Sequence, residues 1–159
     1  DRFMFKINVG YPTREEELKI LKTMDKIDTD IKLEPVVKTQ QIISARKIVN
    51  KIHISDNIQK YIVSLVFATR EPEYYGLKDI KSLVTYGASP RATIFLSRAA
   101  KSHAFINKRA FVIPDDIRSV GESILRHRII LSYEAEAEDI TTDNIIQRIY
   151  ESVPTPWLS

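Results

Sequence analysis

The sequence predicts a mainly α-helical bundle preceded by one β-strand. Apolar residues recur every three or four positions over most of the 159 residues, and helix-start signals precede several of these stretches. The strict alternation that is typical of a strand is clear only at residues 3–9. The length suits about one domain, and 43% hydrophobic with 28% charged residues is ordinary for a globular protein.

The predicted strand places Phe3, Phe5, Ile7 and Val9 on one face, and residues 10–12 end it with Gly, Tyr and Pro. An isolated strand leaves its ladder groups unpaired and is not stable. We therefore expect the neighbouring strands upstream, in a missing α/β core. This interpretation makes the chain a C-terminal piece of a larger protein.

In the first half of the chain, helices are predicted over 14–25, over 39–52 and from a capping residue at Ser55. Thr13 and Glu16 form the capping box that begins the first of them. The stripes expected to be buried are Leu18, Leu21 and Met24 in the first helix; Ile42, Ala45, Val49 and Ile52 in the second; and Ile58, Ile62, Leu65 and Val66 in the third.

In the second half, Ser89 followed by Pro90 is a strong helix-start signal, and that helix is predicted to reach about Ile106. Pro114 opens another helix, and Thr142 caps a last one. The expected buried residues are Ala92, Phe95, Leu96, Ala99, Ala100 and His103; Ile117, Val120, Ile124 and Leu125; and Ile145, Ile146 and Ile149.

The connections carry weaker signals. Lys108 and Arg109 are predicted to form an exposed turn, and Asp115 with Asp116 suits the positive end of a helix dipole. The remaining predictions are a loop with a short helix near 77–84 over residues 73–88, extended pieces at 111–113 and 129–131, and a solvated segment at 134–139.

Composition excludes several kinds of site. The chain has no cysteine, so disulfides, zinc–thiolate sites, iron–sulfur clusters and thiol nucleophiles are ruled out, which fits a reducing, cytoplasmic setting. The four glycines are too scattered for a phosphate-binding loop. His53, His103 and His127 lack metal-binding spacing, and His103 on an apolar stripe is best interpreted as a core residue. No membrane span or signal peptide is predicted.

Charge is unevenly distributed along the chain. Residues 81–131 carry nine Lys and Arg against three Asp and Glu, whereas residues 132–159 carry one against six. The basic region indicates either an anion-facing surface or an ordinary solvated face. A helical nucleic-acid-binding module using residues 81–131 is therefore an alternative, although no recognition-helix signature is present.

Arg91 falls in the first turn of its helix, where the dipole disfavours a cation by about 0.3–1 kcal/mol. Three interpretations of its side chain are open: it points into water, it pairs with a distant acidic residue, or it contacts an anion bound at the helix start. Arg126 and Arg128 flank a helix end, where the negative pole of the helix dipole favours cations. The dipole explains these two arginines more simply than a nucleotide contact does.

Several segments together resemble a known family. Gly87-Ala88-Ser89-Pro90-Arg91-Ala92 is similar to the sensor 2 motif of MoxR-type AAA+ ATPases. Asp1-Arg2-Phe3 and Val9-Gly10-Tyr11-Pro12 resemble the end of that family's ATPase core, and Pro114-Asp115-Asp116-Ile117 and Leu125-Arg126-His127-Arg128-Ile129 resemble its C-terminal signatures in the same order. The resemblance implies the end of an α/β core over 1–25, a linker over 26–38 and a helical lid domain over 39–159.

The resemblance also implies a function. Such proteins are ATP-driven, ring-forming and chaperone-like, so the expected partners are neighbouring subunits of a homo-oligomeric ring and protein clients. It assigns a nucleotide-phosphate contact to Arg91, with Ser89 and Pro90 beside it, and the role of an arginine finger acting on a neighbour's nucleotide to Arg2. ATP and Mg²⁺ are expected in the full-length protein. This segment alone lacks the phosphate loop and is expected to be inactive, with no cofactor.

Overall fold

The structure, a computed structural model, describes residues 2–25 and 33–156. It confirms a mainly α-helical fold. Part of the predicted linker, 26–32, and residues 1 and 157–159 lie outside the described residues. The helices are α1 (Arg14–Met24), α2 (Thr39–Lys51), α3 (Asp56–Ala68), α4 (Pro90–Ile106), α5 (Pro114–Leu125), α6 (Tyr133–Ala137) and α7 (Thr142–Ser152), and the strands are β1 (Val84–Tyr86) and β2 (Ile130–Leu131).

The core lies where α3, α4, α5 and α7 meet. α4 packs against both α3 and α5, and α7 closes the bundle against α3 and α5. Ser55 caps α3 as predicted, since its side chain accepts a hydrogen bond from Ile58 N. Small residues on α4 allow close helix packing. The fully buried large side chains are Ile58, Ile62, Leu65, Val66, Ile80, Leu96, Ile117, Ile124, Leu125, Ile145, Ile146 and Ile149.

The strand predicted over residues 3–9 is wrong in the described part of the chain, where this segment joins no ladder. The four residues predicted to share one face are exposed, as Phe3 at 76% and Val9 at 89% exposure show, whereas Met4 packs against the core. The reason is that backbone groups of this segment bond to the end of α5 and the residues after it: Lys6 N donates to Ser123 O at 2.8 Å. Alternation alone does not supply a pairing partner.

Helices α1 and α2 form where predicted but bury none of their residues. Thr13 and Glu16 make the expected capping box at the start of α1. The apolar stripe of α1 is nevertheless open, with Leu21 and Met24 each 60% exposed. The burial predicted for these two stripes is therefore wrong within the described residues, with the exception of Ile52, which is buried just after α2.

The connection between α3 and α4 contains two 3₁₀ turns, Pro72–Tyr75 and Lys78–Ile80, instead of the short helix predicted near 77–84. It ends in β1, which pairs antiparallel with β2. Thr85 Oγ1 donates to Leu131 O at 3.1 Å, and Ser132 N donates to Leu83 O at 3.0 Å. This small sheet brings the start of α4 close to the end of α5.

Two predictions near the C-terminus can be compared with the structure. The segment predicted to be solvated at 134–139 is exposed except at Ala135, and its first part lies in the short helix α6, where Ser132 accepts from Ala135 N. The last helix is capped one residue earlier than predicted, by Thr141, whose hydroxyl accepts from Asn144 N at 3.2 Å.

The closest approach between α5 and α7 occurs at Gly121. A Cβ atom added at this position would overlap Tyr150 Oη. Tyr150 is itself buried, its hydroxyl has no hydrogen-bond partner within the described residues, and burial raises its pKa. Glycine is therefore required here by space and not by backbone conformation.

Candidate functional site

The Gly-Ala-Ser-Pro-Arg segment is fixed against the C-terminal end of α3. Gly87 lies so near the carbonyl of Thr69 that a Cβ atom would overlap it. The amide of Ala88 donates to Thr69 Oγ1 at 2.9 Å, and this hydroxyl donates to Val66 O at 2.6 Å. The segment therefore enters α4 from a buried, hydrogen-bonded platform, and its direction is determined by α3.

Ser89, Pro90 and Arg91 follow this platform as the start of α4. Ser89 has the extended backbone of an N-cap residue and its carbonyl accepts from Ala92 N at 2.9 Å, while Pro90 is the first helical residue. Arg91 is exposed in the first turn, as predicted. The platform holds the arginine where a positive helix end and a guanidinium face the same solvent region.

Arg128 is the residue that sequence reasoning did not single out for this site. It is only 6% exposed, and burial and then the charge of Arg91 lower its pKa. Its guanidinium also lies over the ring of Phe95, with its central carbon 5.0 Å from the ring centroid.

Arg128 connects the N-terminal segment to the bundle. Its Nη2 donates to Phe3 O at 2.5 Å, its Nη1 donates to Met4 O at 3.1 Å, and the same nitrogen donates to Ile124 O. Arg2 is exposed and immediately precedes this anchored carbonyl. The structure thus places Arg2 next to a residue that Arg128 holds.

Neighbouring side chains reinforce this contact. His127 Nε2 lies 3.1 Å from Phe3 O, and burial lowers the pKa of this histidine, which favours a neutral ring donating from Nε2. Arg126 donates to Asp143 Oδ1 at 2.7 Å and to Lys6 O at 3.4 Å. Arg126 and Arg128 therefore connect the C-terminal end of α5 to the segment before α1 through hydrogen bonds.

Asp116 anchors the other end of α5 and corrects the prediction for Arg109. The Asp116 side chain is fully buried and accepts bonds from both terminal nitrogens of Arg109, one of them 2.7 Å long. His103 Nδ1 lies 2.7 Å from Asp116 Oδ1, and Ile113 N donates to Oδ2 at 2.9 Å. Arg109 is thus not in a free exposed turn.

Burial of Asp116 would by itself raise the pKa of its carboxyl. The bonds from Arg109, Ile113 and His103 together outweigh that effect and hold the pKa below its usual value. The site is therefore a charge-paired structural anchor for α5 and not a general acid. His103 accordingly is a hydrogen-bonded, half-buried residue, in agreement with its predicted structural role.

Chemically, this arrangement can contact an anion but offers little else. Arg91 and the start of α4 can approach phosphate oxygens. Over residues 2–25 and 33–156, no three His, Asp or Glu side chains are grouped to hold a metal ion. The described helices also include none that is long and apolar enough to cross a membrane.

The chain is similar to known proteins. Residues 78–149, which contain the predicted sensor 2 segment, the Asp116 anchor and Arg128, match the AAA lid domain family. The whole chain is 40% identical to Chaperone MoxR1 of Mycobacterium tuberculosis, of which it spans 42%. The chain belongs to the MoxR-type AAA+ proteins and carries their lid domain.

Two further similarities agree with this membership. The MoxR-type chain is 36% identical over 156 residues to the uncharacterized protein YeaC of Bacillus subtilis, covering 46% of that protein. A crystal structure of a candidate ATPase from Cytophaga hutchinsonii superimposes with a TM-score of 0.92 at 44% identity, over 98% of this chain and 47% of that one. The chain thus spans about half the length of the relatives that it matches.

Proposed function

We propose that this MoxR-type chain couples nucleotide state to lid position in an ATP-hydrolysing ring that remodels or assembles client proteins. The observation that carries the proposal is the position of Arg91, held at the start of α4 by the Thr69 platform. The proposal places the end of an α/β core over residues 1–25, a linker over 26–38 and the lid over 39–159. It also places the protein in the cytoplasm, with neighbouring subunits and protein clients as partners.

In this proposal Arg91 contacts a nucleotide phosphate held by a core domain. A bound ATP–Mg²⁺ complex supplies the phosphoryl group whose transfer drives such machines. The residues of this chain fit one part of that site, because they offer a guanidinium at a positive helix end. Arg91 would stabilise phosphate charge, and Arg128 would transmit the position of α4 to the Phe3–Met4 backbone.

Arg2 is proposed to act across a subunit interface. It is exposed and lies beside Phe3, whose carbonyl Arg128 and His127 hold. A guanidinium on an anchored backbone can reach phosphate oxygens with less loss of freedom than one on a loose terminus. Arginine fingers of this kind are worth about 10³–10⁵ in rate in GTPases.

The first test substitutes Arg91 in protein that joins this chain to a nucleotide-binding core. Arg91→Ala should reduce ATP turnover by at least about tenfold, because phosphate charge is left uncompensated, while thermal unfolding changes little. Lys47→Ala, which removes an exposed cation from α2, is the control and should retain wild-type turnover. Wild-type turnover in Arg91→Ala would exclude the assignment.

The second test mixes two inactive forms of the same joined protein. Arg2→Ala subunits retain their own nucleotide site, and subunits with a disabled phosphate loop retain Arg2. If Arg2 acts on a neighbour's nucleotide, the mixture should regain activity that neither form shows alone. No recovery in rings whose assembly is verified by light scattering would make Arg2 a structural residue.

The nucleic-acid-binding alternative is weakened by where the basic residues lie. Of the cations in residues 81–131, at least five bond internally: Lys81 to Glu73, and the guanidinium groups of Arg109 to Asp116, Arg118 to Tyr61, Arg126 to Asp143 and Arg128 to backbone carbonyls. These guanidinium groups are therefore not available as a continuous phosphate-binding face. A fluorescence-anisotropy titration with DNA and RNA would test this alternative, since the affinity of a nucleic-acid-binding protein falls steeply with salt concentration.

A further inference from the structure

The helices α2 and α4 enclose a groove of about 980 Å³ that the proposed nucleotide contact does not use. α4 forms one wall and α2 the other, and Met4 closes part of the groove. Its apolar lining is unusually open for side chains of this size, because Ile42 is 52% and Ile106 is 73% exposed. Arg46, Arg98 and Lys101 line the same groove, and none of its lining residues within 2–25 and 33–156 is acidic.

The charge of this groove follows from two acid-free stretches of sequence. Residues 35–55 contain four Lys and Arg, and residues 80–114 contain six, without one Asp or Glu in either stretch. The fold lays the helices of these two stretches side by side. The cations at the groove therefore have no acidic neighbours on their own helices, and their uncompensated charge favours an acidic ligand.

We propose that this groove binds an acidic amphipathic helix of a partner protein. Aliphatic side chains on one face of such a helix would cover Ile42, Val49 and Ile106, and carboxylates along its edges would face Arg46, Arg98 and Lys101. The 13 residues of α2 give a wall of about 20 Å, enough for roughly four turns of helix.

The aliphatic lining favours a protein over a nucleic acid. Single-stranded nucleic acids stack their bases on aromatic side chains, whereas the aromatic residue that lines this groove, Phe105, is partly buried against the core. Covering Ile42 and Ile106 with phosphate groups would gain no apolar burial. The proposal is independent of Arg91 and Arg2, and its test needs no nucleotide.

The experiment uses the 159-residue chain and a fluorescent synthetic helix of about 14 residues, with leucines at positions i, i+3, i+4 and i+7 and glutamates on both flanks. Anisotropy should show saturable binding that weakens with salt. A scrambled peptide of the same composition should bind at least tenfold more weakly, because its leucines no longer share a face. Equal binding of the scrambled peptide would reduce the effect to charge and overturn the proposal.

Matched variants locate the binding surface. R46E/K101E should weaken peptide binding at least tenfold, whereas K47E/K51E, which makes the same charge change outside the groove lining, should weaken it less than threefold. Ile42→Asp should abolish binding while circular dichroism stays unchanged, since Ile42 is half exposed. Equal losses in both double variants, no peptide binding at all, or tighter binding of a DNA or RNA oligonucleotide at the same residues would each overturn the proposal.

Discussion

Helices α1 and α3 carry apolar stripes of similar spacing and both begin at a side-chain cap, yet α3 buries its stripe and α1 leaves its own exposed. The stripe of α3 meets α4 and α7, whereas Leu18, Leu21 and Met24 of α1 are 50–60% exposed. Spacing and caps thus determine that a helix forms and where it begins. Burial depends on a partner surface, which the described residues provide for the bundle and not for α1.

The largest effect within the bundle is expected at its charged anchor. Asp116→Ala should lower the free energy of unfolding by about 3–5 kcal/mol at neutral pH, because Arg109 would be left without its buried partner. Asp115→Ala, at the exposed neighbouring position, should cost only a few tenths of a kcal/mol. Urea unfolding of both variants measures the difference, and equal losses would contradict the anchoring role.

The same anchor predicts a pH dependence. The pKa of Asp116 in the folded chain is below its ordinary value of 3.8. The carboxylate therefore stabilises the fold at pH values above 3.8, and this stabilisation is lost as the pH falls through the folded-state pKa. The stability difference between wild type and Asp116→Ala should therefore narrow as the pH falls below about 4. A difference that does not change with pH would mean that the carboxylate charge is not involved.

The contrast between the two regions is tested directly by a matched pair of leucines. Leu96→Ala in α4 should cost about 3 kcal/mol, because this side chain is fully buried and its loss leaves a cavity. Leu21→Ala in α1, at 60% exposure, should change the unfolding free energy of the 159-residue chain by less than about 0.5 kcal/mol. A comparable cost at both positions would show that α1 is packed in solution.

The smallest expected effect concerns the contact between the two regions. Arg128→Met keeps the apolar stem but removes the donors to Phe3 O and Met4 O. The Lys6 amide, which donates to Ser123 O, should then exchange about tenfold faster with solvent. This corresponds to a local opening free energy lower by roughly 1.4 kcal/mol. Amide exchange of Leu65 within α3 is the internal control and should change less. Equal acceleration at both sites would assign Arg128 to global stability instead.

The sequence alone was sufficient to predict the helices whose formation depends on residues close together in the chain. The caps at Thr13 and Ser55 and the Ser89–Pro90 start of α4 are local signals, and the structure contains all three helices. The buried stripe of α3 was predictable for the same reason, because a 3.6-residue period defines one face.

The candidate site depends on contacts that no local signal reveals. Arg128 meets the Met4 carbonyl across 124 positions of sequence. The alternation over residues 3–9 showed a period but could not show whether a strand would pair with it. Arg109 and Asp116 are seven residues apart, yet the turn between them had to be known before their pairing could be predicted.

The crossing of α5 and α7 at Gly121 has a consequence for how related sequences can differ. A methyl group at position 121 and the phenol oxygen of Tyr150 would occupy the same space, so alanine at position 121 is constrained while that oxygen is present and is permitted once it is lost. Relatives that retain this crossing and carry alanine at the position of Gly121 should have lost the hydroxyl at the position of Tyr150, with phenylalanine as the simplest replacement. Because that hydroxyl is buried without a partner in the described structure, its loss removes no hydrogen bond, and the two positions should covary.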